Sequence, residues 1–184
     1  MPTLRHLPRI SALVLSATCL SSLGCGGDTE EPETYDPAEI IAQSVDFETN
    51  FERLDLDGVV TVHDSEGMVI SRLWANEIGA DVFRTLDPAD TSQMVEMPRG
   101  AIFLKESYEA DGTTPRDPMQ ILAKFEEGYY PEANDWFFAM ITRDGEVIDG
   151  ISGNGFEVVG CVDCHGQQGE LTDYIIGLPP EELR

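Results

Sequence analysis

Cys161, Cys164 and His165 stand together in the stretch CVDCH, close to the C-terminal end of the chain. Two thiols two residues apart can form a redox dithiol, supply half of a zinc site, or take up haem through thioether bonds. Zinc in this style needs a second pair of ligands. Once the N-terminal leader described below is set aside, only His63 is left for that task, with no further cysteine. A thioredoxin-like dithiol wants a βαβ context and has no need of an adjoining histidine. Haem attachment uses all three side chains: each thiol adds to a vinyl group, and the imidazole reaches the iron from below the ring. The pattern therefore marks Cys161 and Cys164 as attachment residues, His165 as metal ligand and haem c as cofactor. A bare dithiol in a structural protein is the remaining alternative.

The position of the motif bears on the other face of the iron. Nineteen residues follow His165, and none is Met or His. A sixth ligand would have to come from upstream, where Met68, Met94, Met97, Met119, Met140 and His63 are the candidates. Methionines in apolar, strand-like segments more often fill cores. The alternation of Val60 and Val62 puts His63 on the opposite, solvent-facing side of its strand. The expectation is an open or apolar-capped distal face that admits small ligands.

Such chemistry belongs to an exported protein, and the N-terminus agrees. MPTLRHLPRISALVLSATCLSSLGC begins with Arg5 and Arg9, continues through an apolar run and ends in small residues. The run is too short to span a bilayer, which takes about 20 apolar residues, and it reads as a signal peptide over 1–24. The closing Ser-Ser-Leu-Gly-Cys is similar to a bacterial lipoprotein cleavage site and makes Cys25 the lipidation residue, although Ser22 stands where that pattern usually has leucine. An ordinary soluble export signal is the alternative. The implied location is the periplasmic side of a bacterial envelope, with membrane contact only through the lipid. Residues 25–36, rich in Gly, Pro and acids, read as a flexible tether.

The formal charge is −24, and loss of Arg5 and Arg9 with the leader makes the remainder two units more negative. This argues against nucleic acid or an anionic membrane surface as partner and suits a basic redox protein. Residues 37–184 are enough for one domain with a sizeable core.

The elements that must position the motif can be read from hydrophobic periodicity. Asp36-Pro37-Ala38-Glu39 is a helix start with a cap, an early proline and a glutamate at the capping-box position. Ile40, Phe47, Phe51 and Leu54 continue it as one amphipathic helix. GVVTVHD and MVISRLWA alternate and read as a hairpin joined at Ser65-Glu66-Gly67, followed by a short helix in NEIGADVFRTL. RGAIFLKES, MQILAKF and DWFFAMITR read as three further strands, the last turning at Asp144-Gly145. Trp136, Phe137 and Phe138 belong to the sheet core. GISGNGF reads as a loop leading to the motif. The fold class is α+β, dominated by antiparallel sheet.

The blocks SRLWAN, MPRGAIFLKES, AKFEEGYYPEANDWFFAMI and CVDCH, in this order, resemble the cytochrome P-460 family, which is related to cytochrome c′-beta. The resemblance runs from about Phe51 to Ile176. It implies a mostly antiparallel sheet with few helices, a homodimer, and oxidation of hydroxylamine or a similar small nitrogen compound, with electrons passed to a soluble cytochrome. It further implies that Lys105 bonds covalently to the haem ring and that Arg72 orients the ligand or holds a propionate. The glutamate that serves the family as proton acceptor falls on Gln120, whose amide cannot act as a general base. That departure favours the relatives which bind nitric oxide or carry electrons without turnover.

Overall fold

The computed structural model describes residues 34–62 and 68–184. The expected signal peptide, Cys25, most of the tether, His63 and the hairpin loop lie outside the described residues.

Asp36 caps helix α1 (Pro37–Val45), its carboxylate accepting from the Ala38 amide at 2.8 Å. The helix does not continue to Leu54. It breaks at Asp46, resumes for one turn as α2 (Phe47–Asn50), and Phe51 is extended with φ −122°. Strand pairing overrides the helical spacing here. Strand β1 (Glu52–Arg53) takes Ala75 and Trp74 as its partners, and the Leu54 amide donates to the Leu73 carbonyl at 2.8 Å. Phe47 meanwhile packs edge-on against Trp74, with ring centroids 4.9 Å apart.

Strands β2 (Val59–Val62) and β3 (Met68–Ala75) pair as the expected hairpin. The facing of β2 is the reverse of the expected one: Val59 is buried, whereas Val60 is 58% exposed. Helix α3 (Glu77–Phe83) follows, capped by Asn76. Then come β4 (Ile102–Tyr108), β5 (Pro115–Lys124) and β6 (Trp136–Ile141) as the periodicity indicates. A turn at Gly145, with φ +86°, leads into β7 (Val147–Gly153). This strand covers part of the stretch expected to be loop. It pairs Phe138 with Gly153 and Ala139 with Ser152, and its glycines hide the β signal because they offer no side chain to alternate.

Among the described residues seven strands form one antiparallel sheet in the order β1-β3-β4-β5-β6-β7, with β2 also pairing β3. Period-2 alternation splits the core in two. Ile102, Leu104, Ile121, Phe137 and Ala139 point to the face covered by α1 and α2, where Ile40 and Phe47 meet them. Phe103, Leu122, Trp136 and Phe138 point to the other face, toward α3 and the C-terminal segment. Both faces being covered explains why β4 is buried at every position but Lys105. Trp136, Phe137 and Phe138 are fully buried as expected.

Helix α4 (Val159–Gly169) carries the CVDCH stretch, after a 3-10 turn at Phe156–Val158. Its three glycines make it a poor helix former by composition. Val158 is fully buried, and Cys161 and Val162 pack on the cluster around Phe103 and Phe138, so packing holds it in place. Among the described residues no helix is long and apolar enough to cross a membrane.

Candidate functional site

On α4, Cys161, Cys164 and His165 occupy positions i, i+3 and i+4, and the helical pitch brings them to one stripe. The stripe faces the sheet across a cavity of about 900 Å3 that all three residues line. That volume falls in the range of small-molecule sites, about 300–1,000 Å3. Its walls are mainly apolar and include Phe83, Phe103, Leu122, Phe138 and Ile175. The Phe138 ring meets the His165 ring edge-on at 6.1 Å.

The opposite wall is the sheet. Leu73, Lys105, Gln120 and Met140 are direct cross-strand partners in β3, β4, β5 and β6, forming one row on this face. Lys105, Gln120 and Met140 all line the cavity. The register thus delivers two of the three sheet residues singled out in the sequence, Lys105 and Gln120, to the cavity that the side chains of α4 also line. Immediately past Lys105 the β4–β5 register shifts, a bulge of the kind that re-aims side chains. Of the other candidate methionines, Met97 and Met119 are buried core and Met94 is exposed.

Arg72 is not part of this group. It pairs with Glu106 on the other face of the sheet, where its guanidinium donates to the Tyr108 hydroxyl at 2.7 Å and to the Gly112 carbonyl at 3.2 Å. It also stacks on the Tyr108 ring, 4.0 Å from the centroid. A one-residue step along a strand reverses the facing, which places Arg72 away from Leu73 and the cavity.

The electrostatics follow from burial. Desolvation pushes the Lys105 ammonium down to about 8, against the opposing influence of Cys164 and Cys161. Burial also raises the Cys161 thiol, and the adjacent Cys164 adds to the rise. Burial lowers His165, so its ring is neutral at pH 7, although the bond to Tyr174 works the other way. That bond joins His165 Nδ1 to the Tyr174 carbonyl at 2.8 Å. A carbonyl only accepts, so Nδ1 carries the proton and the lone pair sits on Nε2. The cavity also holds an orphaned acceptor: Gln120 Oε1 is buried with no hydrogen-bond partner.

Chemically, the site offers two sulfur nucleophiles that are not joined in a disulfide, one imidazole with a free nitrogen lone pair, and one amine of depressed basicity. Among the described residues no group of three or more His, Cys, Asp and Glu side chains is placed to hold a bare metal ion.

Periodicity passed over Tyr174, which contributes its backbone carbonyl, and its neighbour Asp173, which pairs with Lys124. Nothing in the local pattern flags a main-chain acceptor nine residues beyond the histidine. No family model, no curated protein and no solved structure matches this chain.

Proposed function

We propose that this chain is an exported mono-haem cytochrome of the c type, with Cys161 and Cys164 as thioether attachment residues and His165 as the iron ligand. The reading is carried by the stripe on α4: two free thiols beside an imidazole whose proton is committed to Tyr174, all facing one apolar cavity. A lone imidazole does not hold a bare metal ion, since structural and catalytic metal sites use three or four protein donors. A macrocycle that brings its own four nitrogens needs only that one donor. Attachment adds each S–H across a vinyl double bond, forming C–S and C–H bonds with no external oxidant. The apolar walls fit the ring, and the unpartnered Gln120 Oε1 awaits a donor there.

When bound, the haem would supply a redox-active iron able to take a small nitrogen-containing ligand. The chain's residues would then do the following. His165 donates Nε2. Lys105 presents an amine that burial shifts toward its neutral form, the form able to bond to a ring carbon as the cytochrome P-460 resemblance implies. That bond would replace one N–H and one ring C–H, releasing two protons and passing two electrons to an oxidant of the peroxide class. Gln120 accepts or donates a hydrogen bond at the cavity wall but takes no proton. The acidic surface suits a basic, soluble electron-accepting cytochrome. A homodimer and a lipid anchor at Cys25 on the periplasmic side complete the reading.

Two activities fit this site. Oxidation of hydroxylamine is favoured by Lys105 in the cavity wall. Binding of nitric oxide, or electron carriage without turnover, is favoured by Gln120 in place of a carboxylate. The deciding experiment is peptide mass spectrometry of protein matured in an exporting host with haem-ligation machinery. A haem-bearing peptide spanning Cys161 to His165 is expected, and a colourless product would overturn the proposal. A haem peptide that also carries Lys105 selects the oxidase; an unmodified Lys105 peptide selects the binding or carrier protein.

A further inference from the structure

The buried ion pair behind the histidine has no part in the chemistry above. Lys124 Nζ lies 2.6 Å from Asp173 Oδ2, and both side chains are almost fully buried. Asp173 also accepts from the Met97 amide at 2.9 Å, Trp136 Nε1 at 3.1 Å and Asn134 Nδ2 at 3.2 Å. Four donors saturate its two oxygens. A buried pair of this kind is a poor device for stability alone, because an apolar replacement of equal volume often does as well. It instead fixes where the C-terminal segment lies on β5 and β6.

That position matters because of the next residue. Asp173 and Tyr174 are consecutive non-glycine residues in the left-handed region, with φ +51° and +68°. Each such residue is strained and persists only where its surroundings over-determine it. Here the outcome of the double turn is the Tyr174 carbonyl aimed at His165 Nδ1. The Tyr174 amide in turn donates to the Gly169 carbonyl at 2.8 Å. Only glycine allows that approach, since a Cβ at 169 would sit 2.8 Å from the Tyr174 carbonyl carbon.

We infer that Lys124 and Asp173 are positioning residues for His165: the sheet, through this ion pair, sets the tautomer and orientation of the ring on α4. The inference rests on the haem reading for its functional meaning but not for its geometry. A backbone carbonyl on Nδ1–H makes Nε2 a stronger donor, and loss of such a partner typically costs 10–100-fold in metal affinity or activity. Asp173→Asn isolates the charge, because asparagine keeps an acceptor and tolerates left-handed backbone. Asp173→Ala removes the latch outright. Tyr174→Phe is the control, since the acceptor is main chain.

The protein is studied as isolated from the exporting host. If it carries haem, the iron–histidine stretch in the ferrous Raman spectrum is expected to fall in Asp173→Asn, and further in Asp173→Ala, with the midpoint potential rising. Tyr174→Phe should change neither. An unmoved stretch and potential in a variant whose melting temperature has dropped would make the pair merely structural and overturn the inference. If the protein carries no haem, the function fails but the latch is still read, from imidazole nitrogen spectra. The His165 Nδ1 proton is then expected to exchange at least tenfold faster in Asp173→Asn, while the Ile121 amide of β5 does not. Equal acceleration at both positions would refute the latch.

Discussion

Lys105 offers the most quantitative test of the cavity. Its ammonium is brought down to about 8 by burial against α4, while an unfolded lysine titrates near 10.4. The gap of roughly 2.4 units corresponds to about 3 kcal/mol at 1.36 kcal/mol per unit. Lys105 is partly exposed, so water screens some of this, and about 1–3 kcal/mol is the working range. The perturbation is Lys105→Met in a background of Cys161→Ser and Cys164→Ser, where no ring can attach and no thiolate supports the ammonium. The sign follows from proton counting. Between pH 8 and 10.4 the unfolded chain binds a proton that the folded chain has released, so stability rises with pH across that window. Below pH 8 both states are protonated and the full penalty falls on the fold. Methionine removes the penalty and keeps the volume. Urea unfolding at pH 7 is expected to show the variant more stable by about 1–3 kcal/mol, and the advantage should shrink toward zero by about pH 10.4. A difference that is the same at pH 7 and pH 10 would show that Lys105 is not desolvated and that the cavity floor is wrongly assigned.

His165→Ala should keep the haem covalently attached through Cys161 and Cys164, and added imidazole should restore the axial ligand; visible spectra before and after addition check this. Gln120→Glu places a proton acceptor in the row beside Lys105, and hydroxylamine oxidation should rise by about 10²-fold or more, the usual yield of a positioned base; steady-state kinetics with an electron-accepting dye reads it. Arg72→Ala breaks contacts to Tyr108 and Gly112 on the far face. It should lower the melting temperature while leaving ligand affinity at the iron unchanged, as ligand titration would show. Gly169→Ala drives a Cβ into the Tyr174 backbone and should destabilise the domain by about 1–3 kcal/mol, measured by urea unfolding.

The local signals proved reliable wherever one residue type has one job. The CVDCH spacing alone pointed to a paired-thiol and imidazole site, and the cavity gathers those three side chains. Alternation in RGAIFLKES, MQILAKF and DWFFAMITR located β4, β5 and β6, because a covered sheet demands apolar residues on a two-residue period. The Asp36 cap and the short helix after Asn76 were equally legible. Long-range pairing decided the rest. Phe51 and Leu54 kept helical spacing yet were drawn into the sheet by β3, and glycine-rich β7 became a strand only because β6 offered a partner.

By itself, the sequence determined which atoms are available: two thiols, one imidazole next to them, an amine in one apolar strand and an amide in the next. Only the tertiary structure decided which of them meet. Cross-strand register set Lys105 beside Gln120, strand parity sent Arg72 to the far face, and a saturated aspartate turned a distant carbonyl onto the histidine. Those outcomes depend on how segments many residues apart are paired and packed, and no local spacing encodes that.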